Sequence, residues 1–271
     1  MVSRLLAAWA QAGFEQVAPI QVDEAQILLK NRSAQIANRT FRFMDPASGA
    51  MLALLPDVTL GIARLAMGEL AQAPRPLRLS YEGQAIRVSG SPSRPARQFG
   101  QVGLEVIGSQ PDMLKELTGL ALKSLSDLGV SGLHLCLVHP PLAHDMISRL
   151  GLPSALAAAL DRKDEGKIRA LAGEQAAHFF AILAGDFSGE PALKPLQELR
   201  EDLCADFPDV VIRCEPFEQR GFALQTGPSF ALYADSFRGE LGRGGAYEVN
   251  GEACFGFTFY RDALLQTLIQ K

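Results

Sequence analysis

Runs of basic residues, paired cysteines and long apolar stretches are all missing from this chain of 271 residues. Its 26 Lys and Arg against 30 Asp and Glu give a formal charge of −4, with no cluster of positive charge. The electrostatic footprint of a nucleic-acid binder is therefore absent, and no nucleic-acid partner is expected. The four cysteines, Cys136, Cys204, Cys214 and Cys254, are widely spaced without a CxxC pair. That argues against a zinc ribbon and a disulfide framework, so a reducing, cytoplasmic setting is expected. No apolar run approaches the ~18 residues of a membrane span, so no membrane partner is expected. The amino terminus, MVSRLLAAWAQAGFEQV, has an early Arg and an apolar stretch, but Gln11 and Glu15 interrupt it. It reads as an amphipathic helix rather than a signal peptide.

What is present is a chain 48% hydrophobic, able to bury a sizeable core as one large domain over 1–271. A helix is predicted over 109–128, where Ser109 and Asp112 make a capping box. Apolar residues recur there at Met113, Leu117, Leu120, Ala121, Leu125 and Leu128, and Gly129 is the stop. Strands are predicted at 133–138, 209–214, 229–235 and 254–260, the last with Phe255, Phe257 and Phe259 on one face. An Ala- and Leu-rich stretch at about 144–186, broken by Gly151, Pro153 and DRKDEGK, reads as a small helical insertion. No internal repeat is visible, and SGSPSRPAR at 89–97 is the one stretch biased enough for a mobile loop.

The most informative segment is 78–108, RLSYEGQAIRV followed by SRPARQFGQVGLEVIG, which reads as two strands joined by a basic loop. The connection is too short for a helical crossover, so the pair is antiparallel and the fold is α+β. Period two puts Val102, Leu104 and Val106 on a core face and Gln101, Gly103 and Glu105 on the other. There an amide and a carboxylate flank a glycine that leaves the sheet floor open to a small zwitterion. The plain alternative is an edge strand with a solvated polar face.

This strand pair resembles motif 2 of the class II aminoacyl-tRNA synthetases in its histidyl-tRNA synthetase form. The resemblance implies a mainly antiparallel sheet flanked by helices, with Gln101 and Glu105 as histidine-reading residues. It puts Arg87 where an arginine holds an α-phosphate and Phe99 where a ring stacks on adenine. GFEQVAPI, with Pro19, resembles motif 1, which implies self-dimerisation. FRFMDPASGAMLALLPDVTLGIARLA resembles the ammonium-binding block, carried onto Asp57 and Thr59 with Arg64 following. RGFALQTGPSFALYA resembles the histidine-specific motif, whose arginine falls on Arg220 and whose pocket-lining tyrosine falls on Gln225. GELGRGGAYEVNGEACFGFTF resembles the stretch leading into motif 3. The likeness runs from about Gly13 to about Leu264.

Departures from that pattern point away from catalysis. The motif 3 arginine position is Ala263, the acidic partner after the motif 2 arginine is Ser89, and the arginine before Pro56 is Leu55. In the histidine-specific motif the Asp and Tyr are replaced by Ala223 and Gln225. Losing one transition-state donor costs ~10² to 10³ in rate, so losing several leaves little adenylation. The chain ends at Lys271, seven residues after Leu264, with no anticodon-binding domain expected. This combination resembles the paralogous family of ATP phosphoribosyltransferase regulatory subunits. That resemblance implies no catalytic residue and no cofactor. It also implies a short-form catalytic subunit as partner, a self-dimer within a hetero-octamer, and L-histidine as effector. The other readings are a residual aminoacyl-adenylate former and a free-standing histidine sensor.

Arg87, Arg94 and Arg97 are either phosphate contacts or charges of a solvated loop. His134, His139 and His144 recur every five residues, but Pro140 and Pro141 break the segment, so no metal site is expected and His134 reads as a packed strand residue. The glycines at 239, 242, 244 and 245 lack the phosphate-loop pattern and read as a turn before a strand, with close backbone approach. GPSFA lacks the second glycine of a nucleophile elbow. Asp57, Thr59, Arg87, Gln101, Glu105, Arg220 and Gln225 remain as ligand candidates, with a structural ion-pair network as the alternative.

Overall fold

Alternating and aromatic-rich segments become strands, and most join one large sheet in the computed structural model, which describes residues 1–30, 34–90, 96–108, 113–219, 222 and 224–269. The strands are β1 (Glu15–Val17), β2 (Val22–Glu24), β3 (Arg42–Met44), β4 (Met51–Leu54), β5 (Leu77–Ile86) and β6 (Gln98–Ile107), then β7 (Leu133–Val138), β8 (Val211–Cys214), β9 (Gln225–Ala234), β10 (Phe237–Val249) and β11 (Glu252–Tyr260). The helices are α1 (Val2–Gln11), α2 (Ala25–Leu28), α3 (Ala34–Ala37), α4 (Val58–Met67) and α5 (Met113–Asp127), then α6 (Leu142–Leu150), α7 (Ala155–Asp161), α8 (Glu165–Ala172), α9 (Ala176–Leu183), α10 (Lys194–Asp206) and α11 (Arg261–Ile269). Among the described residues, no helix is long and apolar enough to cross a membrane.

The main sheet runs β1-β5-β6-β11-β10-β9-β7-β8, and β2-β4-β3 form a small second sheet. Among the described residues only the flanking pairs β1–β5 and β7–β8 are parallel, so the α+β reading holds. β6 lies inside, hydrogen-bonded to β5 and β11 along its length. The edge-strand alternative therefore falls: the polar face of β6 is buried rather than solvated.

The two faces of the sheet have different jobs. On the back, Val102, Leu104 and Val106 of β6 and Phe255, Phe257 and Phe259 of β11 join the main core with Leu5 and Trp9 of α1 and Leu117, Ala121, Leu122 and Leu125 of α5. The Trp9 ring meets Phe257 edge-on at 5.6 Å, and its indole N–H donates to Ser124 Oγ at 2.9 Å. The periodicity that predicted a helix over 109–128 is realised from Met113 to Asp127, and Gly129, at φ +87°, ends it. The proposed cap residues Ser109 and Asp112 lie outside the described residues. The helical stretch resolves into α6 to α9, followed by α10, which extends the same core beside β7 and β8.

One local expectation is corrected. Gly239, Gly242, Gly244 and Gly245 are not a turn before a strand; they lie inside β10. Their lack of side chains serves close approach all the same. A Cβ at Gly242 would come 2.5 Å from the Thr258 carbonyl oxygen and 2.7 Å from the Phe259 ring. Neither the backbone nor a ring packed in the core can yield cheaply. Gly242→Ala is therefore expected to destabilise the fold by ~1 to 3 kcal/mol through overpacking. Urea denaturation measures this, and a midpoint equal to that of the parent would contradict it.

Candidate functional site

The front face of the sheet is polar where the back is apolar. The register aligns Tyr81 of β5 with Gly103 of β6 and Thr258 of β11, and aligns Glu105 with Gly256 of β11 and Gly245 of β10. Period two then brings Tyr81, Gln101, Glu105, Thr258 and Tyr247 to one side. α4 covers part of this face, and its amino terminus points at it.

The local sequence explains that placement. Asp57 is the N-cap of α4, accepting from the Thr59 N–H at 3.3 Å. The Val58 N–H, which has no partner within the helix, donates to Gln101 Oε1 at 2.8 Å. Gln101 Nε2 donates to Asp57 Oδ1 at 3.3 Å, and Arg87 Nη2 donates to Asp57 Oδ2 at 3.0 Å. Two candidates far apart in sequence are thus locked together by the start of one helix.

Glu105 sits at the centre. Its Oε1 accepts from Thr59 Oγ1 at 2.8 Å and Tyr81 Oη at 3.4 Å, and its Oε2 accepts from Tyr247 Oη at 2.8 Å. Tyr81 also meets Thr258 Oγ1 at 2.5 Å. Glu105 is 1% exposed. Burial pushes its carboxyl up to about 8, against the hydrogen bonds from Thr59, Tyr247 and Tyr81 that favour the anion, while the charge on Asp57 adds to the rise. Burial likewise holds the Tyr81 and Tyr247 hydroxyls well above their usual range, so both stay protonated.

A carboxylate offers about four acceptor positions. Asp57 and Glu105 each use three of them in these contacts, which leaves each one for a cation between them. A cavity of about 520 Å³ opens on this group, lined by Asp57, Thr59, Arg87, Gln101, Glu105 and Gln225 among others. Six of the seven ligand candidates therefore converge on one space. The seventh, Arg220, lies outside the described residues, as do Arg94 and Ala223.

Several expectations change. The floor over Gly103 is not open: a Cβ there would lie 2.6 Å from Tyr81 Oη and 2.3 Å from the Phe257 carbonyl oxygen. The tyrosine fills the space, and the cavity lies instead over β11 and β10. Arg64 turns away to pair with Asp23 at 2.9 Å. Arg87 donates from Nε to the Pro56 carbonyl at 2.7 Å and covers the Phe99 ring at 4.8 Å. The two positions to which the resemblance assigns phosphate and adenine contacts thus face each other. The Tyr260 ring closes edge-on at 6.0 Å from Phe99. Ala263 is buried in α11, and Arg261 at the start of that helix is paired with Glu82 at 2.9 Å. His134 lies in β7 with Nε2 2.8 Å from Asp235 Oδ1. Among the described residues no group of three or more His, Cys, Asp or Glu could hold a metal ion.

Sequence reasoning missed Tyr81, Tyr247, Thr258 and Gly256. A Cβ at Gly256 would come 1.7 Å from Glu105 Oε2, so this glycine is the seat of the carboxylate. Its signal was legible as a glycine inside the strand pattern CFGFTFY, the mark of close approach.

The raised carboxyl has a measurable sign. Between the unperturbed 4.5 and about 8 the folded state holds a proton that the unfolded chain releases. Its contribution to stability is full below that window and is lost as pH rises through it, at up to ~1.4 kcal/mol per pH unit. Glu105→Gln removes the titration, so its stability between pH 5.5 and 7.5 is expected to fall less than that of the parent. Denaturation midpoints at the two pH values test this; parallel losses in both proteins would show that Glu105 does not carry the linkage.

Comparison with known proteins agrees with this architecture. The family model described as histidyl-tRNA synthetase matches residues 1–264. The ATP phosphoribosyltransferase regulatory subunit of Rhodospirillum centenum is 38% identical over 291 residues, covering 99% of this chain and 75% of that protein. Its counterpart in Rhodospirillum rubrum is 38% identical over 294 residues, covering 99% and 77%. Among solved structures, an ATP phosphoribosyltransferase regulatory subunit/histidyl-tRNA synthetase from Bacillus halodurans superposes with TM-score 0.82 at 20% identity, covering 98% of this chain and 77% of that one. The ATP phosphoribosyl transferase (HisG:HisZ) complex from Thermotoga maritima gives TM-score 0.73 at 17% identity, covering 96% and 95%. The structural likenesses establish the class II synthetase-like fold. With the sequence relatives beside them, they establish that the chain belongs to the histidyl-tRNA synthetase-like family of ATP phosphoribosyltransferase regulatory subunits.

Proposed function

We propose that this chain is a non-catalytic subunit that binds a short-form ATP phosphoribosyltransferase catalytic subunit, is required for its activity, and makes it responsive to L-histidine. The glycosyl transfer belongs to the partner. The carrying observation is the contrast between the two sides of the cavity. The amino-acid side keeps Asp57, Thr59, Gln101 and Glu105 in mutual contact. On the nucleotide side Arg87 is engaged by Asp57, Pro56 and Phe99, and Ala263 stands where a cation would be needed. Phosphoryl chemistry rests on preorganised positive charge, and the charge of Arg87 is already engaged by Asp57.

The ammonium of histidine fits between Asp57 and Glu105, and its arrival favours the Glu105 anion, so binding releases a proton and tightens as pH rises toward 8. Dimerisation through the motif 1 region, within a hetero-octamer, follows from the family resemblance. The exposed apolar side chains Phe43, Met44 and Met51 of the small sheet favour such a surface.

Mixing this chain with a short-form catalytic subunit tests the reading. Turnover is expected only when both are present, and histidine should lower it, with a coupling of ~1 to 3 kcal/mol, equivalent to ~5- to 150-fold in affinity. Failure to associate, or a catalytic subunit equally active alone, would end the proposal. Amino-acid-dependent pyrophosphate exchange by this chain alone would support the residual adenylating enzyme instead.

A further inference from the structure

Four buried side-chain polar atoms have no hydrogen-bond partner among the described residues, on Ser80, His139, Gln219 and Gln225. Of these residues, Gln225 lines the cavity. The atom concerned is its Oε1, a carbonyl oxygen, so what it lacks is a donor. Buried acceptors are matched in nearly all native structures, and one that faces a cavity is matched by what enters it.

Strand register says where this acceptor stands. Gln225 opens β9 and pairs with Tyr247 of β10, the residue whose hydroxyl donates to Glu105. The Glu105 carboxylate lies over Gly256 of β11, and Gly256 pairs with Gly245, two residues before Tyr247. From Gly256 to Gln225 is therefore two strands and two residues, roughly 12 Å between Cα positions at ~4.8 Å per strand and ~3.3 Å per residue. The Gln225 side chain reaches back over part of that distance. What remains suits a single amino acid, with its ammonium beside Glu105 and the far end of its side chain at Gln225.

The walls between these two ends are apolar. Leu60 and Leu224 line the cavity from one side cluster, and Val138, Phe222 and Ala231 line it from another. A flat side chain packs well against such surfaces, and one polar atom at its tip is enough to match Gln225.

We propose that Gln225 determines specificity by accepting a hydrogen bond from a ring N–H at the tip of the ligand's side chain, on the ring nitrogen farther from the α-carbon. This rests on the reading of the cavity as an amino-acid site. An amide oxygen can only accept, so a ring of the same shape without that N–H leaves the buried oxygen unmatched. The cavity thereby measures both the length of the side chain and the chemistry of its end.

Calorimetric titration of the full chain with L-histidine and with β-(thiazol-4-yl)-L-alanine tests it, because the second ligand keeps the ring shape and puts sulfur in place of the remote N–H. The parent should bind histidine at least ~10-fold more tightly, the scale of leaving one buried acceptor unmatched. Gln225→Leu keeps the bulk and removes the acceptor, so it should weaken histidine and bring the ratio of the two affinities near one. Gln225→Met, unbranched and closer in shape, gives the same readout if the leucine variant does not fold. A variant that folds and keeps the parent's ratio overturns the role of Gln225. A parent that binds both ligands equally overturns it too, but leaves the cavity reading intact. A parent that binds neither overturns both.

Discussion

A single buried carboxyl group organises the front of this sheet. Glu105 is reached by Thr59 from the start of α4, by Tyr81 from β5 and by Tyr247 from β10, and it lies over Gly256 of β11. Four elements therefore meet at one side chain, and the Tyr247 hydroxyl that reaches it comes from 142 residues away in sequence. An unpaired carboxylate so deep would be very costly, and the three hydroxyls are what make it tolerable. Asp57, Gln101 and Arg87 form a second tier that fixes the helix end against the same strand.

The same arrangement separates the parts of the cavity by what they bear in the fold. The polar cluster around Glu105 is built into the register of the central strands, and dismantling it would leave buried polar groups unmatched. The nucleotide side hangs on separate side chains at strand and helix ends. Changing an arginine to alanine at position 263 leaves only a small apolar residue packed in α11, so that side can erode without unfolding anything.

Much of this is legible in the sequence. Strict alternation in β6 placed Val102, Leu104 and Val106 against Gln101 and Glu105, because period two leaves no other option once one face is apolar. The amphipathic periodicity of α5 and the phenylalanine ladder of β11 were equally plain. What stayed hidden depended on register between distant strands. Gly256 is unremarkable until β11 is set beside β6, and Tyr81 reads as one more aromatic until it is found over Gly103. The glycines of β10 misled for a related reason. In isolation they signal a turn, and only the crowding of Thr258, Phe259 and Ser229 against them shows that they allow strands to pack.

The indole behind β11 has an optical consequence. Trp9 is the chain's sole tryptophan, fully buried, and it touches Phe257 and Phe259, whose strand neighbours Gly256 and Thr258 face the cavity. Light absorbed at the red edge of the protein's spectrum is therefore emitted from one place, a single strand's thickness from the polar cradle. The molecule carries its own fluorophore, unlabelled and already aimed at the site.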